Sequence, residues 1–398
     1  MLMKGPTRST LIALKCTRCG ATYPPDKAMN VCPRCGGVLY PVYDLEKARE
    51  SFTRSELARR HWSLGIWRYE ELLPVGDWSY VVFLGEGSTP LLHAARLGEK
   101  LGLRNLYIKD ESMNPTGTFK ARGMAVAVSR LWELGVRRLG LPSAGNAAAA
   151  LAAYASRAGV EAHIFIPRST PKSMVAEVRG YGARLEVAGE SIADAARRLD
   201  EVASERGLFV MTTMREPYRV EGKKTMGLEI VEQLGWRTPD VVVYPTGGGT
   251  GLLGIWKGLG ELSAMGLIEG SMPRMVAVQS SGCAPVVEAY RRGSDHVEPW
   301  PSPHTIAAGL RVPKPYADYL ILDVIRRSGG TAIAVEDSEI VAAAKEVARY
   351  VGVLPCPEGA ATLAALKRLV DEGWVDRDET IVLLNTGTGL KYLDVLHL

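Results

Sequence analysis

Lys120 is the residue of this sequence that is best placed for covalent chemistry. It closes the segment 114–120, which reads NPTGTFK, and it opens a predicted helix. A positive charge in the first turn of a helix is unfavourable, because the helix macrodipole favours anions there. The position therefore indicates an amine whose pKa is depressed or which is consumed in a covalent bond, and a Schiff base is the obvious use. The alternative is an ordinary exposed lysine, which is the commoner case for such a residue taken alone.

A second cluster, residues 142–146 (PSAGN), forms a predicted strand-to-helix turn and is followed by a run of alanines. Helix N termini bind carboxylates and phosphates through their free backbone N–H groups. The small side chains of Ala147–Ala150 would let a ligand come close to the backbone. The alternative is a simple capped turn in which Ser143 or Asn146 is the N-cap.

The third cluster is the glycine loop, residues 246–251 (TGGGTG), which lies between an apolar strand and a helix. Its N–H groups could wrap a phosphate. Gly249, Gly251 and Gly254 also match the dinucleotide pattern G-x-G-x-x-G, but the next strand ends in Gln279-Ser280, where a ribose-binding acid would be required. No P-loop pattern is present, so the prediction is a phosphate site, with a plain tight turn as the alternative.

The fourth cluster, residues 385–389 (NTGTG), follows the last apolar strand. The hydroxyl of Thr386 could form a hydrogen bond with a heteroaromatic nitrogen, although the segment could also merely end the strand. A Schiff-base lysine, a phosphate loop, a carboxylate-binding turn and a hydroxyl for a ring nitrogen together describe a pyridoxal 5'-phosphate (PLP) site.

Four cysteines near the N terminus have the spacing of a zinc ribbon. Cys16 and Cys19 form one C-x2-C pair, and Cys32 and Cys35 form a second after twelve intervening residues. Two thiolates at this spacing can face one tetrahedral ion, and four of them close the site, so we expect a structural metal. Two disulfides and a nucleic-acid contact through Lys15, Arg18 and Arg34 are the alternatives. Cys283 and Cys356 stand apart and are expected to be small buried hydrophobic residues.

Composition restricts the class of protein. The chain has 398 residues, of which 46% are hydrophobic and 23% charged, and its net charge is +4. Such a chain is long enough for two or three domains and is neither disordered nor fibrous. The small net charge predicts neither nucleic acid nor membrane as a partner. The longest apolar run, Ala147–Ala155, is far shorter than the roughly 20 residues of a membrane span, and a cytoplasmic protein is expected.

The elements that must position these clusters alternate between strand and helix. Residues 43–80 are predicted to be helix and linker, after which the hydrophobic period switches repeatedly. Predicted strands are 106–109, 138–141, 162–166, 184–187, 240–244, 275–278 and 380–384. Predicted helices are 118–134, 147–157, 172–181, 252–262, 340–350 and 360–369. The alternation predicts parallel sheets with helices on both faces, where ligands bind at the carboxyl ends of strands.

The four clusters, in this order, resemble those of threonine synthase and its relatives among the fold-type II PLP enzymes. The similarity covers nearly the whole chain and includes the four-cysteine ribbon, residues 218–225 (YRVEGKKT) and residues 356–360 (CPEGA). It implies an α/β fold of two parallel-sheet lobes with the cofactor between them. It also implies a lyase that converts O-phospho-L-homoserine and water to L-threonine and phosphate.

The resemblance assigns roles residue by residue. Lys120 would hold PLP and then act as the proton-transfer base, Asn146 would bind the phenolate oxygen, and Thr386 would meet the pyridine nitrogen. The remaining cofactor residues would be Phe119, Gly247, Gly248, Gly249, Thr250 and Gly251. The substrate residues would be Ser143, Ala144, Gly145, Arg122 and Arg219, and the metal ligands Cys16, Cys19, Cys32 and Cys35. Glu358 is a further residue that could lie near the site.

Two segments depart from the family pattern. The usual Lys-Asp-Arg-Gly has Ala121 in place of the aspartate, and a segment that helps bind the substrate phosphate has Met214 and Glu216. A Glu near a phosphate would be unfavourable, although Arg215 could compensate. The alternatives are therefore a serine or threonine dehydratase, a β-replacement enzyme of the cysteine or cysteate synthase type, or a non-catalytic protein on the same fold.

The resemblance to threonine synthase also suggests a domain organisation. We expect a ribbon at 1–42, a helical linker at 43–80, a larger PLP-binding domain at 81–120 and 213–398, and a smaller domain at 121–212. The expected partners are an amino-acid substrate and, by analogy with relatives, a second copy of the chain in a homodimer.

Overall fold

The computed structural model of the chain describes residues 4–396. Its β-strands are β1 Leu11–Cys16, β2 Thr22–Tyr23, β3 Leu39–Tyr43, β4 Leu91–His93, β5 Asn105–Asp110, β6 Arg138–Pro142, β7 Glu161–Ile166, β8 Arg184–Val187, β9 Phe209–Val210, β10 Val241–Pro245, β11 Arg274–Ser280, β12 Thr331–Val335 and β13 Thr380–Asn385. Its α-helices are α1 Leu45–Arg49, α2 Arg54–Arg59, α3 Ala95–Leu101, α4 Lys120–Glu133, α5 Asn146–Ala158, α6 Lys172–Gly180, α7 Ile192–Ala203, α8 Arg219–Gln233, α9 Thr250–Ala264, α10 Pro285–Arg291, α11 Asp318–Arg327, α12 Asp337–Val351, α13 Pro357–Asp371 and α14 Leu393–Leu396.

The described chain divides into two compact units. The first comprises the residues up to Ser88 together with Lys120–Thr225, and the second comprises Thr89–Phe119 and the residues from Met226 onward. This division differs from the expected domains. Lys120 belongs to the first unit, and the second boundary falls within α8 rather than before residue 213, because the first half of α8 packs against α4.

The first unit contains two sheets. The ribbon (β1–β3) is an antiparallel sheet of order β2-β1-β3, and the larger sheet has the order β8-β7-β6-β9 with every pairing parallel. The carboxyl ends of β6 and β9 are therefore neighbours. The 142–146 turn follows β6, and the segment with Met214 and Glu216 follows β9.

Segment 43–80 is part of the first unit's interior rather than a linker. After α1 and α2 it continues as a kinked 3-10 stretch, Trp62–Leu72, in which Gly65 has a φ of 55°. A Cβ at Gly65 would lie 2.0 Å from the carbonyl oxygen of Glu86, so glycine is required there. Ile66 and Trp67 are buried in the same apolar cluster as the helices α4 and α5, which explains why this segment is not separate.

The second unit is built on one mixed sheet of order β12-β11-β10-β13-β5-β4. All pairings are parallel except that of β4 with β5. Every residue of β10 (VVVYP) is buried, as expected for an inner strand covered on both faces. The predicted α/β fold with parallel sheets is confirmed. Among residues 4–396, no helix has both the length and the apolarity that a membrane crossing requires.

Candidate active site

Three of the predicted clusters lie at one edge of the second unit's sheet. The strands β10, β13 and β5 are adjacent and parallel, so their carboxyl ends meet at the same edge. The glycine loop follows β10, the Thr386 cluster follows β13, and the segment leading to Lys120 follows β5. At this edge Asn385 Nδ2 donates to Asp110 Oδ1 at 2.8 Å, which joins the ends of β13 and β5.

The segment before Lys120 is bound to the Thr386 cluster by backbone hydrogen bonds. The N–H of Phe119 donates to the carbonyl of Thr386 at 3.0 Å, and the N–H of Thr388 donates to the carbonyl of Gly117 at 2.9 Å. Thr118 and Gly387 form an isolated bridge between these bonds. The first and fourth clusters are therefore paired, and Lys120 is the residue that follows this pairing directly in the chain.

The glycine loop ends at the N terminus of α9. Its N-cap, Gly249, is in the left-handed region with a φ of 76°, and no side chain caps the helix. The first-turn N–H groups have no intrahelical acceptors and are suited to bind an anion. The glycines are also required by packing, since a Cβ at Gly247 would lie 2.2 Å from the carbonyl oxygen of Gly309. The loop is thus a tight turn, as the alternative expected, and the phosphate role stays a prediction that its uncapped helix start allows.

Tyr244 lies beside the glycine loop, a position that the sequence did not reveal. Its side chain is buried near the end of β10, and no described residue forms a hydrogen bond with its hydroxyl. That hydroxyl lies against the first turn of α9, where a Cβ on Gly251 would be 1.8 Å from it, and its ring meets that of Phe119 edge to face. Burial raises the pKa of Tyr244 well above its usual value, so the hydroxyl keeps its proton. It is a buried donor available to an anion at this helix terminus.

Thr386 and Cys356 meet beside the same loop. The Sγ of Cys356 lies 3.5 Å from Thr386 Oγ1, and both residues are buried. Burial raises the pKa of the Cys356 thiol well above its usual value, so the group beside Thr386 is neutral. Cys283 is also a buried free thiol, as predicted for both cysteines.

Glu358 joins α13 to the neighbourhood of the glycine loop. It is buried, and its Oε1 accepts a hydrogen bond from the N–H of Gly309 at 2.6 Å. Gly309 is the residue whose carbonyl lies against Gly247. The carboxylate therefore holds the backbone that supports the loop, so Glu358 lies near this site although it contacts the loop only through Gly309.

In the first unit, the 142–146 turn opens α5 as predicted. Asn146 is the first helical residue and Gly145 is the N-cap, with no side chain capping the helix. The alternative in which Ser143 or Asn146 is the cap is therefore wrong. Ser143 Oγ instead accepts a hydrogen bond from the N–H of Gly145 at 3.4 Å. The N–H of Ser143 donates to the carbonyl of Phe165 at 3.0 Å. Ser143, Ala144, Gly145 and Asn146 are half-buried, and no side chain caps this helix start.

Close packing of α4 against α8 holds the two predicted substrate arginines. Gly123 and Gly222 permit this contact, since a Cβ at Gly222 would lie 2.0 Å from the carbonyl oxygen of Arg122. Arg122 Nη1 donates to Thr225 Oγ1 at 3.0 Å, and Arg219 Nη1 donates to the carbonyl of Met211 at 2.7 Å. Both arginines are buried. Both guanidinium groups place positive charge near the first turns of α4 and α8. Each of them already donates a hydrogen bond to a protein oxygen.

The four N-terminal cysteines converge as predicted. Their sulfur atoms all lie within 4.8 Å of one another, with Cys16 Sγ 3.4 Å from Cys35 Sγ and Cys19 Sγ 3.7 Å from Cys32 Sγ. Tetrahedral zinc–thiolate bonds of about 2.3 Å place sulfurs about 3.8 Å apart, whereas a disulfide needs about 2.05 Å. All four are free thiols, so the disulfide alternative is wrong and the cluster has the dimensions of a metal site.

Known proteins resemble this chain over most of its length. A family model described as "Pyridoxal-phosphate dependent enzyme" matches residues 82–387. The threonine synthase of Methanocaldococcus jannaschii is 40% identical over 378 residues, which cover 95% of this chain and 92% of the relative. The chain belongs to the threonine synthase family of PLP-dependent enzymes. The threonine synthase of Methanosarcina acetivorans is 37% identical over 379 residues, with the same two coverages of 95% and 92%.

A solved structure supports the fold of this threonine synthase family member. The processed form of threonine deaminase isoform 2 from Solanum lycopersicum matches with a TM-score of 0.68 at 24% identity, covering 80% of this chain and 88% of that one. At that identity the match shows the fold alone. The predicted family, the fold and the assignment to PLP-dependent lyases are confirmed.

The departures from the threonine synthase pattern have structural explanations. Ala121 is completely buried in the first turn of α4, where an aspartate would lose its hydration. Glu216 caps α8, because its Oε2 accepts from the N–H groups of Tyr218 at 2.8 Å and Arg219 at 3.0 Å. Its Oε1 lies 3.9 Å from Arg219 Nε. Burial raises the pKa of the Glu216 carboxyl, an effect that Arg219 opposes. Met214 is buried with a φ of 60°, a left-handed conformation that is strained for such a residue.

Proposed function

We propose that the chain catalyses the conversion of O-phospho-L-homoserine and water to L-threonine and phosphate, with PLP as cofactor. The observation that carries this proposal is the 40% identity to an archaeal threonine synthase over 92% of that protein's length. The arrangement of strand ends supports it, because β5, β13 and β10 bring the lysine segment, the Thr386 cluster and the glycine loop to one edge of a sheet.

The residues of the second unit fit the phosphate and ring of PLP. The uncapped start of α9 and the buried Tyr244 hydroxyl form a donor set for a phosphate dianion. Gly247, Gly248, Gly249, Thr250 and Gly251 would supply backbone N–H groups to it. The hydroxyl of Thr386 would meet the pyridine nitrogen, and Phe119 would pack beside the ring. A neutral hydroxyl does not enforce protonation of that nitrogen, as a carboxylate would, and this favours elimination and replacement over transamination.

Lys120 and the first unit would supply the groups that act on the substrate. The Lys120 amine would hold the cofactor covalently and, once released, would move protons at the substrate's carbon atoms. Ser143, Ala144 and Gly145 would bind the substrate carboxylate at the start of α5, and Asn146 would donate to the cofactor's phenolate oxygen. PLP, when bound, supplies an electron sink for those proton transfers.

The substrate phosphate would be attracted by the cations of the α4–α8 contact. Arg122 and Arg219 are buried there, and a Cβ at Gly123 would lie 3.1 Å from the Nζ of Lys223. Glu216 caps α8, and its Oε1 lies 3.9 Å from Arg219 Nε, so the carboxyl partly offsets the charge of that arginine.

Three further assignments complete the proposal. The four-cysteine cluster would hold a structural zinc ion, since its thiolates match zinc in number, softness and spacing. The active form would be a homodimer, by analogy with relatives. The protein would reside in the cytoplasm, as its apolar segments and its cysteine usage led us to expect. Metal analysis and the mass in solution test the first two points.

The decisive experiment is product analysis by NMR. Purified enzyme with PLP would be given O-phospho-L-homoserine, with L-serine and L-threonine in parallel reactions. We expect threonine and phosphate in equal amounts from the first reaction. A keto acid from serine or threonine, without phosphate release from the first substrate, would overturn the proposal in favour of a dehydratase.

A further inference from the structure

The ribbon is not an independent module. Its residues Leu14, Cys16 and Leu39 are buried in the same apolar cluster as Met124 of α4 and Met211, which follows β9. Both of those methionines lie close in sequence to residues of the proposed site, namely Lys120 and Arg122 on α4 and Arg219 at the start of α8. A displacement of the ribbon would therefore disturb the support of both segments.

A single amide in the ribbon holds the loop that precedes α8. Asn30 Nδ2 donates to the carbonyl of Val210 at 2.7 Å and to the carbonyl of Arg215 at 3.0 Å. Val210 directly precedes the 211–216 loop and Arg215 lies near its end, so both hydrogens of one side-chain amide are used to close the loop. Asn30 is 180 residues from Val210 and 185 from Arg215 along the chain, hence the contact is wholly tertiary.

The 211–216 loop contains a strained residue and little internal hydrogen bonding, so contacts from outside the loop can stabilise it. Met214 holds a left-handed conformation that costs free energy for a residue with a side chain. Within the loop, the N–H of Arg215 donates to the carbonyl of Thr212 at 2.9 Å, which closes only one turn. The carbonyl of Met211 accepts from Arg219 Nη1 at 2.7 Å, so the loop in turn fixes the guanidinium of a proposed substrate residue.

The ribbon also contacts α4. Arg130 Nη2 donates to the carbonyl of Pro25 at 2.7 Å, and burial of Arg130 shields this bond from water. Helix α4 and the 211–216 loop are thus both hydrogen-bonded to the same stretch of the ribbon, residues 25–30.

We propose that the ribbon positions the substrate-phosphate residues, with Asn30 as a positioning residue that acts on Arg219 through the 211–216 loop. This inference rests on the proposed function, since it takes Arg219 to bind the phosphate of the substrate. Asn30 itself touches no reacting group. Its loss should weaken substrate binding without changing the cofactor.

The test compares Asn30→Asp and Asn30→Ala with a matched control. Asn30→Asp keeps the volume, removes both donors and places a negative charge against two carbonyl oxygens, whereas Asn30→Ala removes the donors without adding a charge. An effect common to both variants therefore reports the loss of the hydrogen bonds. Asn105→Ala is the control, because Asn105 Nδ2 also donates to a backbone carbonyl, that of Asp378 at 2.9 Å, in the second unit. The measurements are hydrogen exchange of residues 211–219, kcat and KM for O-phospho-L-homoserine, and the absorbance of bound PLP.

We expect both Asn30 variants to raise exchange in residues 211–216 and to raise KM about tenfold, as the loss of two hydrogen bonds to one loop would. The value of kcat and the PLP absorbance should stay near those of the wild type, and the control should match the wild type throughout. Unchanged exchange and unchanged KM in Asn30→Asp would overturn the proposal. A wild-type enzyme inactive on this substrate would refute the proposed function, and the exchange data would then decide separately whether Asn30 holds the loop.

Discussion

At the scale of single residues, the proposed site depends on groups that tertiary structure brings together. Thr386 meets Cys356, and the N–H of Phe119 donates to the carbonyl of Thr386. The second contact forms because β5 and β13 are adjacent parallel strands that end at one edge of a sheet. Sequence alone could identify the hydroxyls and glycines, but it could not show which of them share a neighbourhood.

Replacement of Lys120 should remove the covalent link to the cofactor. We expect Lys120→Ala to lose activity by roughly 10²–10⁴-fold, since the proton-transfer group is gone. Borohydride reduction followed by peptide mass mapping should find no cofactor on residue 120 of the variant. Lys172→Ala is the control, because Lys172 is also the first residue of a helix in the first unit and is exposed. Cofactor still attached to the Lys120→Ala chain would contradict the assignment.

Replacement of Tyr244 should have opposite effects on the protein with and without cofactor. The hydroxyl is buried and has no described partner, so Tyr244→Phe should stabilise the cofactor-free protein by about 1 kcal/mol. The same change should weaken PLP binding about fivefold, because a donor to the phosphate is lost. Thermal unfolding and absorbance titration measure the two effects.

Tyr290→Phe is the matched control for that experiment. The hydroxyl of Tyr290 donates to the carbonyl of Gly330 at 3.0 Å, so its removal should lower stability and leave PLP affinity unchanged. If Tyr244→Phe behaved in the same way as this control, Tyr244 would be a structural residue only.

At the scale of secondary-structure elements, helices and strands with a periodic or wholly apolar sequence were predictable. Segments that mix apolar residues with buried charged residues were not. The strands β10 and β13 and the helices α4 and α5 were predicted within a few residues of their observed bounds. The helix α8 was missed because it buries Arg219, Glu221, Lys223 and Lys224, so its sequence shows no apolar face. The helices α7, α10 and α11 and the strand β12 were also missed. In the site, the four clusters were predictable, whereas the positions of Tyr244 and Glu216 depend on tertiary packing.

Substitution of Gly249, the N-cap of α9, tests the role of the glycine loop. We expect Gly249→Ala to destabilise the protein by about 1–2 kcal/mol and to weaken PLP binding, because the left-handed backbone disfavours a Cβ. That Cβ would also lie 2.3 Å from Ile321 Cδ1. Gly260→Ala in the same helix is the control, since a Cβ there meets no atom within 4 Å. It should stabilise the helix by roughly 0.5–1 kcal/mol. Equal behaviour of the two variants in denaturant unfolding would refute the role of Gly249.

At the scale of the whole molecule, the proposed metal site would contribute to the stability of the first unit. Cys16 and Cys32 are buried in the cluster that also contains Met124 and Met211. Burial of sulfur ligands in a shared core means that loss of a bound ion should loosen more than the ribbon. A metal ion held by the four cysteines would thus also stabilise α4 and the 211–216 loop.

Removal of the metal tests this link. A strong chelator should release a single ion per chain and lower the thermal midpoint of unfolding, and added zinc should restore it. The variant Cys16→Ser should behave like the chelated protein. Cys283→Ser is the control, because Cys283 is buried in the second unit without other cysteines nearby. A thermal midpoint insensitive to chelation in metal-loaded protein would show that the ribbon folds without an ion.

The order of strands in the second unit has a consequence for synthesis on the ribosome. β13 is the last strand of the described chain, yet it lies between β10 and β5 in the sheet. Until residue 385 has left the exit tunnel, β10 and β5 cannot be joined through their shared neighbour, and the edge of each strand that pairs with β13 stays unpaired. Exposed strand edges are prone to pair with other chains. A nascent chain of this protein therefore has a long interval in which it needs protection by chaperones, and a message truncated before β13 would yield aggregate rather than a partly working enzyme.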